Sequence, residues 1–251
     1  MEEFSKLVSL MELLRGDEGC PWDKKQTIGA FKTFLLEEVY EVIEAIERTD
    51  YVALKEELGD LLFHIVFISQ ICKEEQRFGI GDVIDDSYHK MYRRHPHVFL
   101  KNGDDKPIEH RWEQIKREEK QDYSPVSAVP RMLPALLRAY VVSKRAARTG
   151  FDWEKLSDIY DKMYEEIQEL REAEESGSPE RIEEEVGDLL FTIANISRFH
   201  GIDPENALRC TTDKFTRRFA YVQDHADSAT PDLKAMDALW NEVKENEKRG
   251  K

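Results

Sequence analysis

Apolar residues recur along this chain at helical spacing. Leu35, Val39, Val42, Ile43 and Ile46 follow one another at steps of three and four, which draws a single stripe on one helix. In the next segment, from roughly Leu54 to Cys72, Leu58, Leu61, Leu62, Phe63, Ile65, Val66, Phe67 and Ile68 surround the axis. That pattern predicts a helix covered on all sides inside a bundle. A slightly more polar version spans about Arg181 to Phe199, and a further helix is expected to begin near Leu136. No segment alternates with hairpin turn chemistry, so the predicted class is all-α. Gly59 and Gly187 fall inside these helices, where glycine costs about 0.5–1 kcal/mol relative to alanine. Close approach of a neighbouring helix or a ligand is the expected reason.

The polar positions repeat as well. Glu37-Glu38-x-x-Glu41 followed by Glu57-x-x-Asp60 returns as Glu165-Glu166-x-x-Glu169 and Glu185-x-x-Asp188, every member shifted by 128 (165 − 37 = 188 − 60). From Glu37/Glu165 to Ser69/Ser197, 16 of 33 aligned pairs are identical, which marks an internal duplication. Lys90-x-x-Arg93-Arg94 answers Lys214-x-x-Arg217-Arg218 at offset 124, and Trp112-x-x-Ile115-Lys116 answers Trp240-x-x-Val243-Lys244 at 128. Pro125, Pro130 and Pro134 interrupt helical periodicity between the copies. The expected organisation is therefore a helical domain over 1–122, a proline-containing linker over 123–135 and a second helical domain over 136–251.

Charge narrows the chemistry. With 52 acidic against 37 basic residues among 251, the formal charge is −15, which argues against the broad basic surface that nucleic acid requires. Any anionic ligand must meet a local basic cluster or metal ions. No basic n-region opens the chain and no apolar run reaches about 18 residues, so a cytoplasmic protein without membrane attachment is expected. Cys20, Cys72 and Cys210 lie far apart and form no CxxC, so neither a disulfide framework nor a zinc knuckle is expected.

The acids admit two readings. Carboxylates three or four apart share a helix face and repel by a few tenths of a kcal/mol, and the first acidic helix of each copy could simply face water. Glu57 and Asp60 open a segment that is otherwise apolar, where burying an unpaired charge is costly, and no basic residue lies on that helix between Lys55 and Lys73. Two helices each offering a carboxylate pair can surround one cavity, which is how helical bundles build carboxylate metal sites. An all-oxygen set suits Mg²⁺ or Mn²⁺. His64 has Thr192 as its counterpart, and His95-Pro96-His97 is absent from the second copy, so histidine is not expected as a shared ligand.

EExxE with ExxD resembles the MazG-type all-α nucleoside triphosphate pyrophosphohydrolases, a superfamily with dimeric dUTPases and phosphoribosyl-ATP pyrophosphohydrolases. The likeness extends to Cys20-Pro21-Trp22-Asp23, Arg93-Arg94-His95-Pro96-His97-Val98-Phe99, Gly150-Phe151-Asp152-Trp153 and Lys214-Phe215-x-Arg217-Arg218-Phe219. It covers nearly the whole chain and implies two tandem MazG-like bundles that dimerise. It also implies Mg²⁺-dependent cleavage of a nucleoside triphosphate between the α and β phosphates, giving the monophosphate and pyrophosphate. By that resemblance Glu38, Glu41, Glu57 and Asp60, and likewise Glu166, Glu169, Glu185 and Asp188, would hold the metal. Glu165 would accept the proton of the attacking water. Lys214, Arg217 and Arg218, with Lys90, Arg93 and Arg94 in the first copy, would meet phosphate, and Trp240 would stack on a base or close the core. Arg181 and Glu184 complete the substrate-binding candidates. The family commonly shows Asn two residues before the KF lysine; this chain has Thr212, which loses the bidentate amide.

The copies are not equal. Seven residues beyond Asp188 stands Asn195, able to pair with a base edge or ribose hydroxyl, whereas the first copy has Phe67 there. The second copy is therefore expected to be the principal catalytic unit. Two rival readings stand beside this one: a non-catalytic helical module that binds nucleotides or a protein, and a specialised dUTPase-like pyrophosphohydrolase.

Overall fold

A computed structural model of the protein describes residues 2–99, 115, 118, 119, 123–226 and 232–249. Among the described residues every regular element is a helix. The chain divides into two compact units, Met1–Asp105 and Lys106–Lys251. Trp112 and Lys116, matched above to Trp240 and Lys244, lie outside the described residues.

The N-terminal unit contains α1 (Glu2–Arg15), α2 (Pro21–Lys25), α3 (Phe31–Glu47), α4 (Tyr51–Glu74), α5 (Ile80–Arg94) and α6 (Pro96–Phe99). Its centre is the antiparallel pair α3 and α4, with α1 and α5 laid against α4. Asp50 caps α4 by accepting from the amides of Val52 at 3.0 Å and Ala53 at 3.1 Å. Met11, Phe31, Val66, Phe67 and Ile71 form the core. Arg15, at the end of α1, clamps it: its guanidinium donates twice to Glu74, and its Nη1 donates to the Asp23 carbonyl at 2.6 Å. That pairing holds the Glu74 carboxyl below its usual range.

The C-terminal unit contains α7 (Ala135–Ala147), α8 (Leu156–Ser176), α9 (Pro179–Phe199), α10 (Pro204–His225) and α11 (Leu233–Arg249). Here α8 and α9 form the antiparallel pair, α7 covers α9, and α10 carries α11. The turn between α8 and α9 is two residues long. Gly177 ends α8 at φ +68°, a left-handed conformation natural to glycine, and Ser178 caps α9 just before Pro179. The proline-containing stretch expected as a linker is packed: Val129 is 3% exposed and Arg145 donates to the Pro125 carbonyl at 3.1 Å.

Two expectations are corrected. The helix predicted to be covered on all sides, α4, leaves Leu58, Leu62 and Ile65 exposed, as α9 leaves Val186, Leu190 and Ile193. Among the described residues, the neighbouring helices of each unit do not wrap the full circumference. A Cβ built on Gly59 or on Gly187 would meet nothing within 4 Å, so among the described residues no helix approaches these glycines closely, and of the two expected reasons the ligand is left. Phe67 is fully buried in the core of the N-terminal unit. Phe67→Ala should cost about 3–5 kcal/mol in the unfolding of this unit, read as a fall in its denaturant midpoint.

Candidate active site

An antiparallel helical hairpin brings together residues equidistant from its turn. In the C-terminal unit the turn is at Gly177, and the acids fall in mirrored pairs about it: 177 − 169 = 185 − 177 = 8, and 177 − 166 = 188 − 177 = 11. In the N-terminal unit the turn is at Thr49, with 49 − 41 = 57 − 49 = 8 and 49 − 38 = 60 − 49 = 11. At 1.5 Å rise per residue the pairs stand roughly 12 and 16 Å from the turn, so each acid on one helix faces an acid at the same height on the other. Carboxylate oxygens of Glu166, Glu185 and Asp188 accordingly lie within 4.8 Å of one another, as do those of Glu38, Glu41 and Glu57. Each hairpin gathers three of its four predicted ligands; Glu169 and Asp60 flank the groups.

Burial is distributed differently from expectation. The deepest carboxylates are on the first helix of each pair: Glu166 is 4% exposed, whereas Asp60 and Asp188 are exposed. Glu166 Oε2 and Glu38 Oε2 are buried with no hydrogen-bond partner. In the C-terminal unit Lys162 moderates the repulsion, its Nζ standing 2.6 Å from Glu165 Oε1 and 2.8 Å from Glu166 Oε1. Hydrogen bonds that the lysine donates to Glu165 and Glu166 hold it well above its usual range. Loss of hydration pushes the Glu169 carboxyl up; Lys162 opposes the rise, while Glu166 and Glu185 reinforce it.

Beside these acids opens a cavity of about 810 Å³, to whose lining Lys162, Glu166 and Asp188 belong. Its other walls include Val126 from the proline-containing stretch, Phe151 and Trp153 before α8, and Thr192, Asn195 and Arg198 from α9. Asn195 is buried and donates to the Phe191 carbonyl at 3.1 Å. Arg198 grips Asp152 through both terminal nitrogens, and Asp152 also accepts from the Trp153 amide at 2.8 Å. One region thus combines a carboxylate cluster, an apolar wall and deep polar groups, which can hold a cation at one end and an organic ring at the other.

The N-terminal hairpin has the acids with different surroundings. Positions 128 residues before Ile159, Lys162, Thr192 and Asn195 are Phe31, Phe34, His64 and Phe67. Phe31 stacks on Phe67 with centroids 4.4 Å apart and meets Phe34 edge-on at 5.6 Å. Aromatic rings therefore fill volume that the C-terminal unit gives to its cavity. His64 Nδ1 lies 3.9 Å from Glu38 Oε1, and burial lowers its pKa, so it is a weak counter-ion. Loss of hydration, then the neighbouring carboxylates, raise Glu38 and Glu57.

The predicted basic residues stand apart from the cavity lining. On α10, Arg217 and Arg218 both bind Glu247 of α11, at 3.0 and 2.7 Å, and the Arg218 guanidinium lies over the Trp240 ring at 5.7 Å. Trp240 also packs on Phe215 at 5.1 Å, and Lys214 is half-buried on the same helix. Lys90, Arg93 and Arg94 occupy the end of α5, and exposed Arg181 and Glu184 open α9. Thr212 turns back to donate to the Leu208 carbonyl at 3.0 Å. His95 Nδ1 lies 2.6 Å from the Met91 carbonyl, and neither His95 nor His97 joins a candidate metal group among the described residues. Sequence reading missed Lys162, Asp152, Trp153 and Arg198 as site residues. Lys162 left a signal, a lysine three and four residues before two glutamates of the motif; Asp152 and Trp153 stood in the Gly150–Trp153 motif without a role, and nothing tied Asp152 to Arg198, 46 residues on.

The chain is similar in sequence to known proteins. The sequence profile of the MazG nucleotide pyrophosphohydrolase domain matches residues 26–99 and again 155–223. The nucleoside triphosphate pyrophosphohydrolase of Escherichia coli K12 is 43% identical over 260 residues, covering 98% of this chain and 99% of that protein. A nucleoside triphosphate pyrophosphohydrolase/pyrophosphatase MazG from Thermotoga maritima is 43% identical over 249 residues, with 96% and 95% covered. The crystal structure of a mazG-related protein from Thermotoga maritima shares 26% identity at a TM-score of 0.39, spanning 46% of this chain and 99% of that one. The chain belongs to the MazG nucleotide pyrophosphohydrolase family, with two copies of its domain in tandem. A divalent metal cofactor goes with that family and with the two carboxylate groups.

The raised carboxyls give a pH signature. A carboxyl whose folded pKa is raised binds protons more readily when folded, so stability is greatest at low pH and falls as pH rises through the raised pKa. Glu38→Gln should therefore raise the thermal midpoint of the metal-free N-terminal unit at about pH 8, with the gain vanishing near about pH 4. A gain of equal size at both pH values would exclude charge crowding as its cause.

Proposed function

We propose that the chain hydrolyses nucleoside triphosphates between the α and β phosphates, releasing the nucleoside monophosphate and pyrophosphate, and that its C-terminal unit is the principal catalyst. The observation that carries this reading is the continuity, in that unit, of a carboxylate cluster with an 810 Å³ cavity. The donor set fits a hard divalent ion: three carboxylates within 4.8 Å, all oxygen, one with a buried oxygen left without a partner. Glu166, Glu169, Glu185 and Asp188 are the residues that would hold it. Magnesium, or manganese in its place, neutralises triphosphate charge and acidifies bound water.

The remaining roles belong to the protein's own groups. Glu165, exposed at the edge of the cluster, accepts the proton of the attacking water once Lys162 releases it. Asn195 and the Asp152–Arg198 pair present polar groups toward a base or ribose, and Trp153 with Phe151 supplies the apolar wall. Lys214, Arg217 and Arg218 serve as phosphate contacts only after the two arginines leave Glu247, which makes α11 the element that must yield. Trp240, seated against Phe215, closes that helix pair. Arg181 and Glu184 at the start of α9 are further substrate contacts. In the N-terminal unit Glu38, Glu41, Glu57 and Asp60 hold a metal, with Lys90, Arg93 and Arg94 as the basic partners, in a largely structural capacity because aromatic rings fill its interior.

The exposed apolar residues of α3 and α4, among them Leu36, Tyr40, Ile43, Leu58 and Leu62, favour a homodimer that covers them. The net charge of −15 disfavours nucleic acid as a partner. No described helix is long and apolar enough to cross a membrane, and action on cytoplasmic nucleotides is the setting that suits this chemistry.

Asp188→Ala should lower the rate of pyrophosphate release on the order of 100-fold or more, while Asp60→Ala leaves it within about threefold of the parent. The reverse ranking would assign catalysis to the N-terminal unit. Orthophosphate as the sole initial product from a panel of triphosphates would reject α–β cleavage.

A further inference from the structure

Carboxylates crowded on a hairpin need positive charge, and in the C-terminal unit the chain supplies some itself. Lys162 sits on α8 one turn before Glu166, with its Nζ 2.6 Å from Glu165 Oε1, 2.8 Å from Glu166 Oε1 and 3.9 Å from Glu169 Oε2. A single ammonium therefore spans the residue placed as proton acceptor and two of those placed as metal ligands. Glu185 and Asp188 face the same cluster from α9. The lysine does not complete the cluster, because Glu166 is 4% exposed and its Oε2 still lacks a partner. Nor is the lysine trapped. Its side chain is 32% exposed and lines the adjoining cavity, so it can swing away without losing hydration.

The N-terminal hairpin is an internal comparison. The residue 128 before Lys162 is Phe34, whose ring stacks against His64 at 6.0 Å. The same mirrored acids there have no ammonium at this position. The difference belongs to the catalytic copy and is not required to fold the hairpin, since the other copy folds with phenylalanine in its place.

We propose that Lys162 is a built-in counter-ion of the C-terminal carboxylates, which a divalent cation must displace before it can occupy them, so that filling the site and freeing Glu165 are one event. The proposal rests on the reading that these carboxylates hold a metal. A cation would compete with the ammonium for the Glu166 carboxylate, whose Oε2 the lysine, held at 2.8 Å on Oε1, leaves without a partner. The unloaded enzyme thereby supplies part of its own counter-charge, with its proton acceptor tied down.

The test is Mn²⁺ binding to the full chain without nucleotide, counted by electron paramagnetic resonance of the free ion. The N-terminal cluster is first silenced by Glu38→Gln with Glu57→Gln, so that only the C-terminal site is read. Adding Lys162→Met should tighten Mn²⁺ binding by roughly tenfold, the scale of losing one nearby competing charge, and Lys162→Arg should leave it near the parent value. Without metal, Lys162→Met should also lower the thermal midpoint of the C-terminal unit, and saturating Mn²⁺ should close the gap. Lys162→Gln provides the same readings with a polar side chain if the methionine variant folds poorly. Unchanged or weaker Mn²⁺ affinity in the Met and Gln variants would overturn the counter-ion role and leave the metal site standing. Mn²⁺ binding absent from all of them, or surviving Glu166→Gln with Glu185→Gln, would overturn the metal reading and this proposal together.

Discussion

Like charges brought within 4.8 Å repel, and each hairpin of this protein does so three at a time. The constraint responsible is the mirror register about Thr49 and Gly177. Once an antiparallel pair turns at those residues, acids 8 and 11 positions away on either side must share a level. Short turns fix that register: Gly177 in the left-handed region and a serine cap leave α8 and α9 no slack to slide. The electrostatic cost is met inside the C-terminal unit by Lys162 and in the N-terminal unit by carboxyls whose affinity for protons rises. Both are substitutes for a cation, which is the simplest account of why such spacing is present twice.

Around that shared frame the two units spend their interiors differently. Phe31, Phe34 and Phe67 make the N-terminal hairpin a packed aromatic core with the acids at its edge. Ile159, Lys162 and Asn195 at the matching positions leave a cavity, and the Asp152–Arg198 pair adds polar ends to it. Buried aromatic area stabilises a fold, whereas an open polar cavity forgoes that stabilisation and gains room for a ligand. Duplication has thus kept backbone and acids while the two interiors have diverged. The proline-containing stretch before α7 belongs to this division too, since Val129 anchors it and Val126 reaches the cavity wall.

Much was legible in one dimension. Helical period, the two-copy layout, the acids and the approximate span of each long helix all follow from local spacing, because a helix converts sequence separation directly into position on a face. The EExxE and ExxD pairs announced that carboxylates would gather. Their burial was not legible. Glu57 and Asp60 looked like the costly acids because their segment is apolar, yet Glu166 and Glu38 on the acidic helices are the ones enclosed, since facing helices decide which side of a helix loses water. The all-apolar character of α4 likewise announced a covered helix, and Leu58, Leu62 and Ile65 remain open because covering is supplied by neighbours.

The string of residues therefore settles what is periodic and what is repeated: helix, hairpin, duplicated acids, and the family they mark. Packing alone settles what meets what across long separations. Asp152 finds Arg198 across 46 positions, Arg217 and Arg218 are drawn to Glu247, and a volume opens beside the C-terminal acid cluster. The reason is physical: local spacing is set by backbone geometry, which every residue shares, whereas burial, charge pairing and empty space are properties of surfaces brought together, and those exist only once the helices have docked.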